Sequence, residues 1–435
     1  MAGPFPPARP RPPGLVAFER ARAEVLAGVR PLGAREYALA ETHGLVLAED
    51  VAAPEDLPPF ANSAMDGFAV RAADVAGASA QRPRRLALRG AVYAGTREPV
   101  KVEPGGAARI TTGAPLPPGA DAVVPLEQAE VVEADPDAEG AAGTGQAVLI
   151  RQAVPERGFV REAGEDVPVG TVVLRAGQVL EPAAIGMLAA VGRPRALAHP
   201  RPRVAVVATG DELVEPGLPL RPGQIRDSNA VMLAAQARAA GAEAMILPRL
   251  RDEPAALRAG FALACAEADA VVTSGGVSVG ERDHTGQVLE QLGVRPWRVA
   301  MQPGMPQAFG LLGEVPMFGL PGNPVSSFVV FELLVRPALR RIAGHPADRL
   351  DRPRVAARLA EPVRSPPGRT SFLRVTLTGA PGALEARLTG PQGSGVLSSC
   401  VAAGGLAVVP ADADSLPAGA EVEVVVLRQA PGWGG

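Results

Sequence analysis

The chain has 435 residues, more than one hydrophobic core comfortably holds, so two to four domains are expected at roughly 100–200 residues each. Its net charge of −3 and its 3% aromatic content offer neither a basic surface nor stacking platforms for nucleic acid. No apolar run approaches the ~20 residues of a membrane span.

Residues 1–14 read as a disordered proline-rich tail, without the apolar centre of a signal peptide. Leu15–Val29 has helical apolar spacing, and Glu36–Leu47 reads as a second helix. Residues 84–160 show short apolar runs divided by Gly and Pro, which is β-domain texture, and 133–146 reads as a surface loop. Lys101 in this region is the only lysine, which excludes a Walker-type phosphate loop. Pro182–Val191 reads as a helix.

After Pro200 the texture changes. Strands are expected at 204–208, 244–247, 270–273, 298–301 and 317–320, and helices at 229–241, 254–266, 282–292 and 325–342. This alternation implies a doubly wound, mainly parallel sheet. From Asp351 short β runs return and form a C-terminal β domain. Cys265 falls in a helical stretch and Cys400 near a predicted strand. Two cysteines so separated suggest no disulfide framework and suit a reducing cytoplasm.

Ligands of open α/β sheets bind at the carboxyl ends of the strands. Three such ends are chemically unusual: Thr209-Gly210-Asp211-Glu212, Ser274-Gly275-Gly276-Val277-Ser278 leading to Glu281 and Asp283, and Pro321-Gly322-Asn323-Pro324. A glycine turn entering a helix favours phosphate, and the neighbouring acids favour a divalent cation. In the third, Pro324 suits the first helical position behind Asn323 as cap. Asp252 and Glu253 also fit an ordinary acidic first turn, and Thr111-Thr112-Gly113 and Gly164-Glu165-Asp166 fit ordinary loops. Gly276-Val277-Ser278-Val279-Gly280 matches a nucleophile elbow, so a serine hydrolase using Ser278 with His345 is an alternative. A non-catalytic binding scaffold is another. The histidines form no zinc-type spacing.

Taken together, these segments resemble the molybdopterin molybdenumtransferases, the MoeA and gephyrin E-domain family. The resemblance runs from about Leu15 to Leu427. It rests on Asn62-Ser-Ala-Met-Asp-Gly-Phe-Ala-Val-Arg71, Arg109-Ile-Thr-Thr-Gly-Ala-Pro115, Gly164-Glu-Asp166, Thr209-Gly-Asp-Glu-Leu213, Ser274-Gly-Gly-Val-Ser-Val-Gly280, Gly319-Leu-Pro-Gly-Asn-Pro-Val-Ser326 and Gln392-Gly-Ser-Gly395. It implies a multidomain α/β protein. The expected parts are a discontinuous helical linker domain (15–60 and 160–200), an inserted β-rich domain (61–159), the doubly wound domain (201–346) and a C-terminal β domain (350–428).

The activity implied is insertion of molybdate into adenylylated molybdopterin, with Mg²⁺-dependent hydrolysis of the adenylate and release of AMP. A cytoplasmic homodimer with composite sites is implied, and the molybdopterin adenylyltransferase is a candidate partner. Residue by residue, the resemblance assigns Asp66, Thr112, Asp166, Glu212, Asp252 and Asp283 to catalysis, with Asp283 and Asp252 on the cation. Thr209, Gly210, Asp211, Ser274, Gly275, Gly276, Ser278, Pro321, Gly322 and Asn323 fall to substrate binding. Gln302, Met305, Pro306, Arg374 and Ser394 fall to the molybdate site. Here the chain departs from the family: Gln302-Pro303-Gly304-Met305-Pro306 stands where the family has Lys-Pro-Gly-Lys-Pro. Methionine supplies no cation, which leaves three readings: weaker molybdate binding, a charge supplied by Arg298 or Arg374, or specialisation for another oxyanion such as tungstate or for a changed role.

Overall fold

The structure is a computed structural model and describes residues 14–133, 145–276, 284–380 and 382–428. The chain divides into two compact units. One comprises residues 1–48, 176–181 and 197–435, and the other residues 49–175 and 182–196. The expected linker segments, 15–60 and 160–200, are therefore shared between the two units.

The larger unit is built on a six-stranded sheet. Its order is Glu243–Ile246, Arg203–Ala208, Ala270–Ser274, Val315–Leu320, Pro306–Leu312 and Arg295–Arg298. The first four strands run parallel, and the last two add antiparallel to the edge. Both faces are covered, which explains why the parallel strands read as unbroken apolar runs. Val204, Val206 and Val272 point to the helices Asn229–Ala239 and Pro324–Val330. Ala205, Val207 and Val271 point to Pro254–Glu267 and His284–Gln291 on the other face. The helix Pro324–Val330 continues through a π turn at Phe331–Val335 into Arg336–Ile342.

The C-terminal strands close into a barrel. Thr370–Thr378, Glu385–Leu388, Arg354–Leu359, Glu421–Val426 and Gly405–Val409 pair in that order, and the last pairs back to the first. Leu373, Val375 and Leu377 fill its interior, whereas Phe372 joins the α/β core. The Phe372 ring meets that of Phe18, from the helix Phe18–Ala27, at 5.1 Å.

The smaller unit carries its own six-stranded sheet, in the order Ala122–Pro125, Gly67–Val70, Gly106–Ile110, Arg84–Val92, Gln146–Ile150 and Ala129–Glu133. Phe68, Val124, Val148 and Ile150 form one of its cores. The helix Pro182–Ala190 belongs to this unit.

Two local readings are corrected. Glu36–Leu47 is not a helix: it forms a strand (Arg35–Ala38), a single 3₁₀ turn and a short strand (Val46–Leu47). Thr42 Oγ1 donates to Leu39 O and Gly44 takes φ +76°, so the turn stops, and Val46 and Leu47 are buried by pairing with His199 and Ala198. The strand expected at 298–301 divides in two. Arg295–Arg298 joins the α/β sheet, while Met301–Gln302 pairs in parallel with Thr370–Ser371 of the barrel. The strand Pro306–Leu312 carried too little alternation to be expected. Cys400 lies in the short helix Leu397–Ala402, near the strand Gly405–Val409 that follows. No helix among the described residues is long and apolar enough to cross a membrane.

Phe261 is wholly buried between the sheet and the helix Pro254–Glu267. Phe261→Ala is expected to cost about 3–5 kcal/mol in urea-induced unfolding. A loss under about 1 kcal/mol would contradict this packing.

Candidate active site at the carboxyl ends of the parallel strands

The strand Ala270–Ser274 ends in Gly275 (φ +95°) and Gly276 (φ +62°), conformations that L side chains avoid. Space alone would demand glycine too. A Cβ on Gly275 would lie 2.9 Å from Thr209 O, and one on Gly276 would lie 2.2 Å from Thr285 Cβ. Gly275 N–H donates to Leu320 O at 3.1 Å. The ends of three parallel strands, at Thr209, Ser274 and Leu320, thus converge.

Asn229, on the first turn of its helix, ties these ends together. Its Nδ2 donates to Ser274 Oγ and to Gly322 O, both at 2.8 Å. Thr209, Asp227, Asn229, Ser274, Gly275 and Gly322 help line a cavity of about 250 Å³. Glu212 also lines it, with its carboxylate beside Gly210. Asp211 is exposed and faces Arg249, whose Nη1 donates to Gly210 O at 2.9 Å and lies 3.4 Å from Asp211 Oδ1. Asp252 stands at the far side of the glycine turn and accepts a long 3.4 Å contact from Thr285 Oγ1. Pro324 is the first helical residue, as expected. Asn323 is the N-cap residue, also as expected, although its side chain makes no capping bond. Pro321 O instead accepts from Ser327 Oγ. Ser278 and Asp283 lie outside the described residues.

A second cavity, of about 150 Å³, opens against the barrel and is lined by Gln302, Arg364, Ser371, Arg374 and Gln392 among others. Arg374 is 1% exposed and has no carboxylate partner among the described residues. Its Nε donates to Ser399 Oγ at 3.1 Å and its Nη2 to Gly393 O at 3.2 Å, while its backbone N–H donates to Gln392 Oε1 at 2.9 Å. Burial pulls the guanidinium below its usual value. A buried cation without a counter-charge is costly, and an anion in the cavity would relieve that cost. Met305, Pro306 and Ser394 do not line this cavity. Met305 is half-buried, and its carbonyl accepts from Val299 N–H. Ser394 O accepts from Val325 N–H. Arg298 is exposed in its edge strand and lies outside the cavity as well.

In the smaller unit, Asp66 and Thr112 meet. Asp66 Oδ1 accepts from Thr112 N at 2.7 Å and from Thr112 Oγ1 at 2.9 Å. Asp166 lies in a separate loop and, with Phe60, Asn62, Gly113 and Arg161, helps line a cleft of about 620 Å³. Described His, Cys, Asp and Glu residues form no cluster of three that could hold a metal ion.

His345 is poorly suited to a serine-hydrolase base. Its Nδ1 faces Arg340 Nη2 at 3.3 Å. Burial, together with Arg340, Arg336 and Arg349, pulls its pKa down to about 4. Among the residues missed from sequence, Asp227 and Asn229 stand where a helix start is expected, so their polarity reads as capping. Asp227 Oδ1 does accept from Ala230 N–H. Arg249 and Arg161 carry no local signal.

Three family models match in sequence order. The MoeA N-terminal region (domain I and II) covers 16–192, the "Probable molybdopterin binding domain" covers 205–341, and the MoeA C-terminal region (domain IV) covers 356–427. The fold is that of a molybdenum-cofactor biosynthesis protein. Molybdopterin molybdenumtransferase 2 of Mycobacterium tuberculosis is 40% identical, over 93% of this chain and 97% of its own length. The Haemophilus influenzae molybdopterin molybdenumtransferase is 35% identical, over 94% and 98%. The crystal structure of a molybdopterin biosynthesis MoeA protein from Pyrococcus horikoshii superposes with a TM-score of 0.79 at 35% identity, covering 95% of this chain and all of that one. The chain belongs to the MoeA family of molybdopterin molybdenumtransferases, enzymes of molybdenum-cofactor biosynthesis.

The two Thr112 hydrogen bonds, the backbone one first, hold the Asp66 carboxyl below its usual value. A lowered folded pKa favours the folded state above the unfolded pKa, and that contribution fades as pH falls through the folded value. Thr112→Val removes only the hydroxyl bond, so the Asp66 titration followed by carboxyl NMR should move upward while staying below that of a free aspartate. An unchanged titration would remove the hydroxyl from the account.

Proposed function

We propose that the protein inserts molybdate into adenylylated molybdopterin, with hydrolysis of the adenylate by water and release of AMP. The observation that carries this reading is Arg374, a buried guanidinium without an acid partner among the described residues, beside an anion-sized cavity. Molybdate carries two negative charges and oxygens only, which suits guanidinium and amide donors from Arg374, Gln302 and Gln392. The pterin and its phosphate would lie along the 250 Å³ cavity of the glycine turn. There, Gly275 and Gly276 let the ligand approach the backbone, and Ser274 and Thr209 offer hydroxyls.

Mg²⁺ is proposed as the cation, held by Asp252 and Asp283. Among the described residues the half-buried Asp252 carboxylate has one long contact, and Mg²⁺ commonly uses one or two carboxylates with substrate phosphate. When bound, it neutralises phosphate charge during cleavage. Glu212 lines the glycine-turn cavity, and Asp211 stands beside it in the turn after the strand Arg203–Ala208. Asp66, Thr112 and Asp166 are proposed to complete the site of a second subunit in a homodimer. A cytoplasmic location fits two free cysteines in a chain without a described membrane helix.

The reaction is tested by supplying adenylylated molybdopterin, Mg²⁺ and molybdate, and measuring AMP and molybdenum-bound pterin together. Absence of AMP with every oxyanion would leave a binding scaffold. Light scattering should show a dimer at micromolar concentration, and a fully active monomer would refute the composite site. Because Met305 does not line the Arg374 cavity, Met305→Lys should change half-saturating molybdate by less than about threefold, whereas Arg374→Met should raise it about ten- to a hundredfold. A large gain from Met305→Lys would restore residue 305 to the oxyanion site.

A further inference from the structure

The glycine-turn cavity and the Arg374 cavity are not independent, and one side chain stands at the junction. Asn229 is 9% exposed. Its amide orientation is fixed by chemistry. Gly322 O can only accept, so the nitrogen must face it, and the same nitrogen reaches Ser274 Oγ. Asn229 Oδ1 is buried without a partner, so the amide serves through its two donors alone. Gly322 leads through Asn323 and Pro324 to Val325, whose N–H donates to Ser394 O at 3.1 Å. The preceding residue, Gly393, accepts from Arg374 Nη2 at 3.2 Å. A continuous path of covalent links and short hydrogen bonds therefore joins the glycine turn to the buried guanidinium, and Asn229 is its only side chain that grips both strand ends.

We infer that Asn229 is a positioning residue that sets the glycine turn in register with the loop holding Arg374, so that one ligand spans the pterin cavity and the oxyanion cavity in a single geometry. The inference rests on the proposed reading of the Arg374 cavity as the molybdate site. Packing alone does not account for Asn229, because an aliphatic residue of similar size would fill the space without orphaning an oxygen. Nor does helix capping, since Asp227 already accepts the N–H of Ala230.

The test uses full-length protein and two isosteric or smaller variants, Asn229→Asp and Asn229→Ala. In Asn229→Asp the nitrogen becomes oxygen, which repels Gly322 O. In Asn229→Ala both donors disappear. Half-saturation is measured for adenylylated molybdopterin at saturating molybdate, and for molybdate at saturating pterin substrate. Thermal melting and AMP binding by calorimetry are read in parallel. Both half-saturation values should rise about ten- to a hundredfold in Asn229→Asp, less in Asn229→Ala, with melting lowered by only a few degrees. Three results would overturn the inference: kcat falling in step with the folded fraction at unchanged half-saturation, a rise confined to the pterin substrate, or failure of both variants to fold. If the parent binds AMP but shows no turnover, the proposed reaction fails instead. The clamp is then judged by AMP affinity, which Asn229→Asp should lower by at least about tenfold, and equal affinity would reject it.

Discussion

The site depends on the close approach of two loops at the ends of neighbouring parallel strands. Ser274 and Leu320 are paired in register, and beyond them Gly275 N–H still donates to Leu320 O. A Cβ on Gly322 would just touch Gly275 Cα, at 3.7 Å. The parallel ladder has splayed only far enough to leave a groove floored by backbone. Glycine is required where the turn meets Thr209 and Thr285, and the buried side chains of Thr209, Ser274 and Asn229 line the cavity beside it. A strand end that needed side chains to fill space there could not admit a phosphate.

The barrel is bound to this arrangement from two sides. Met301–Gln302 leaves the α/β region to pair with Thr370–Ser371, which brings Gln302 to the cavity that Arg374 lines. Phe372 turns outward from the barrel and packs on Phe18, while its neighbour Arg374 is held beneath Gly393 and Ser399. Strand alternation thus sends residues of one strand to different tasks: apolar anchoring at 372, barrel filling at 373 and 375, and a buried charge at 374. Replacement of a family lysine by Met305 is compatible with this plan, because the buried charge comes from another domain.

Much of this could be read from the chain. The parallel strands were legible because burial on both faces makes them continuous apolar runs, and the strand-end motifs because glycines stood beside hydroxyls and acids. Glu36–Leu47 misled because its apolar residues are buried by short strand pairs rather than by one helical stripe. The division of 295–302 between two sheets was hidden because each piece is too short to show a period. Asn229 was masked by its position, since Asn at a helix start is ordinarily a capping residue. That no described acid stands beside Arg374 is a three-dimensional fact that sequence does not carry.

The central claim is that the strand-end turns and the Arg374 loop form one ligand site. Hydrogen–deuterium exchange with and without adenylylated molybdopterin, Mg²⁺ and molybdate tests it most directly. Protection should appear together in peptides covering 208–212, 274–276, 320–325 and 392–396. Protection of the strand-end peptides with unchanged exchange at 392–396 would show two separate sites and contradict the account.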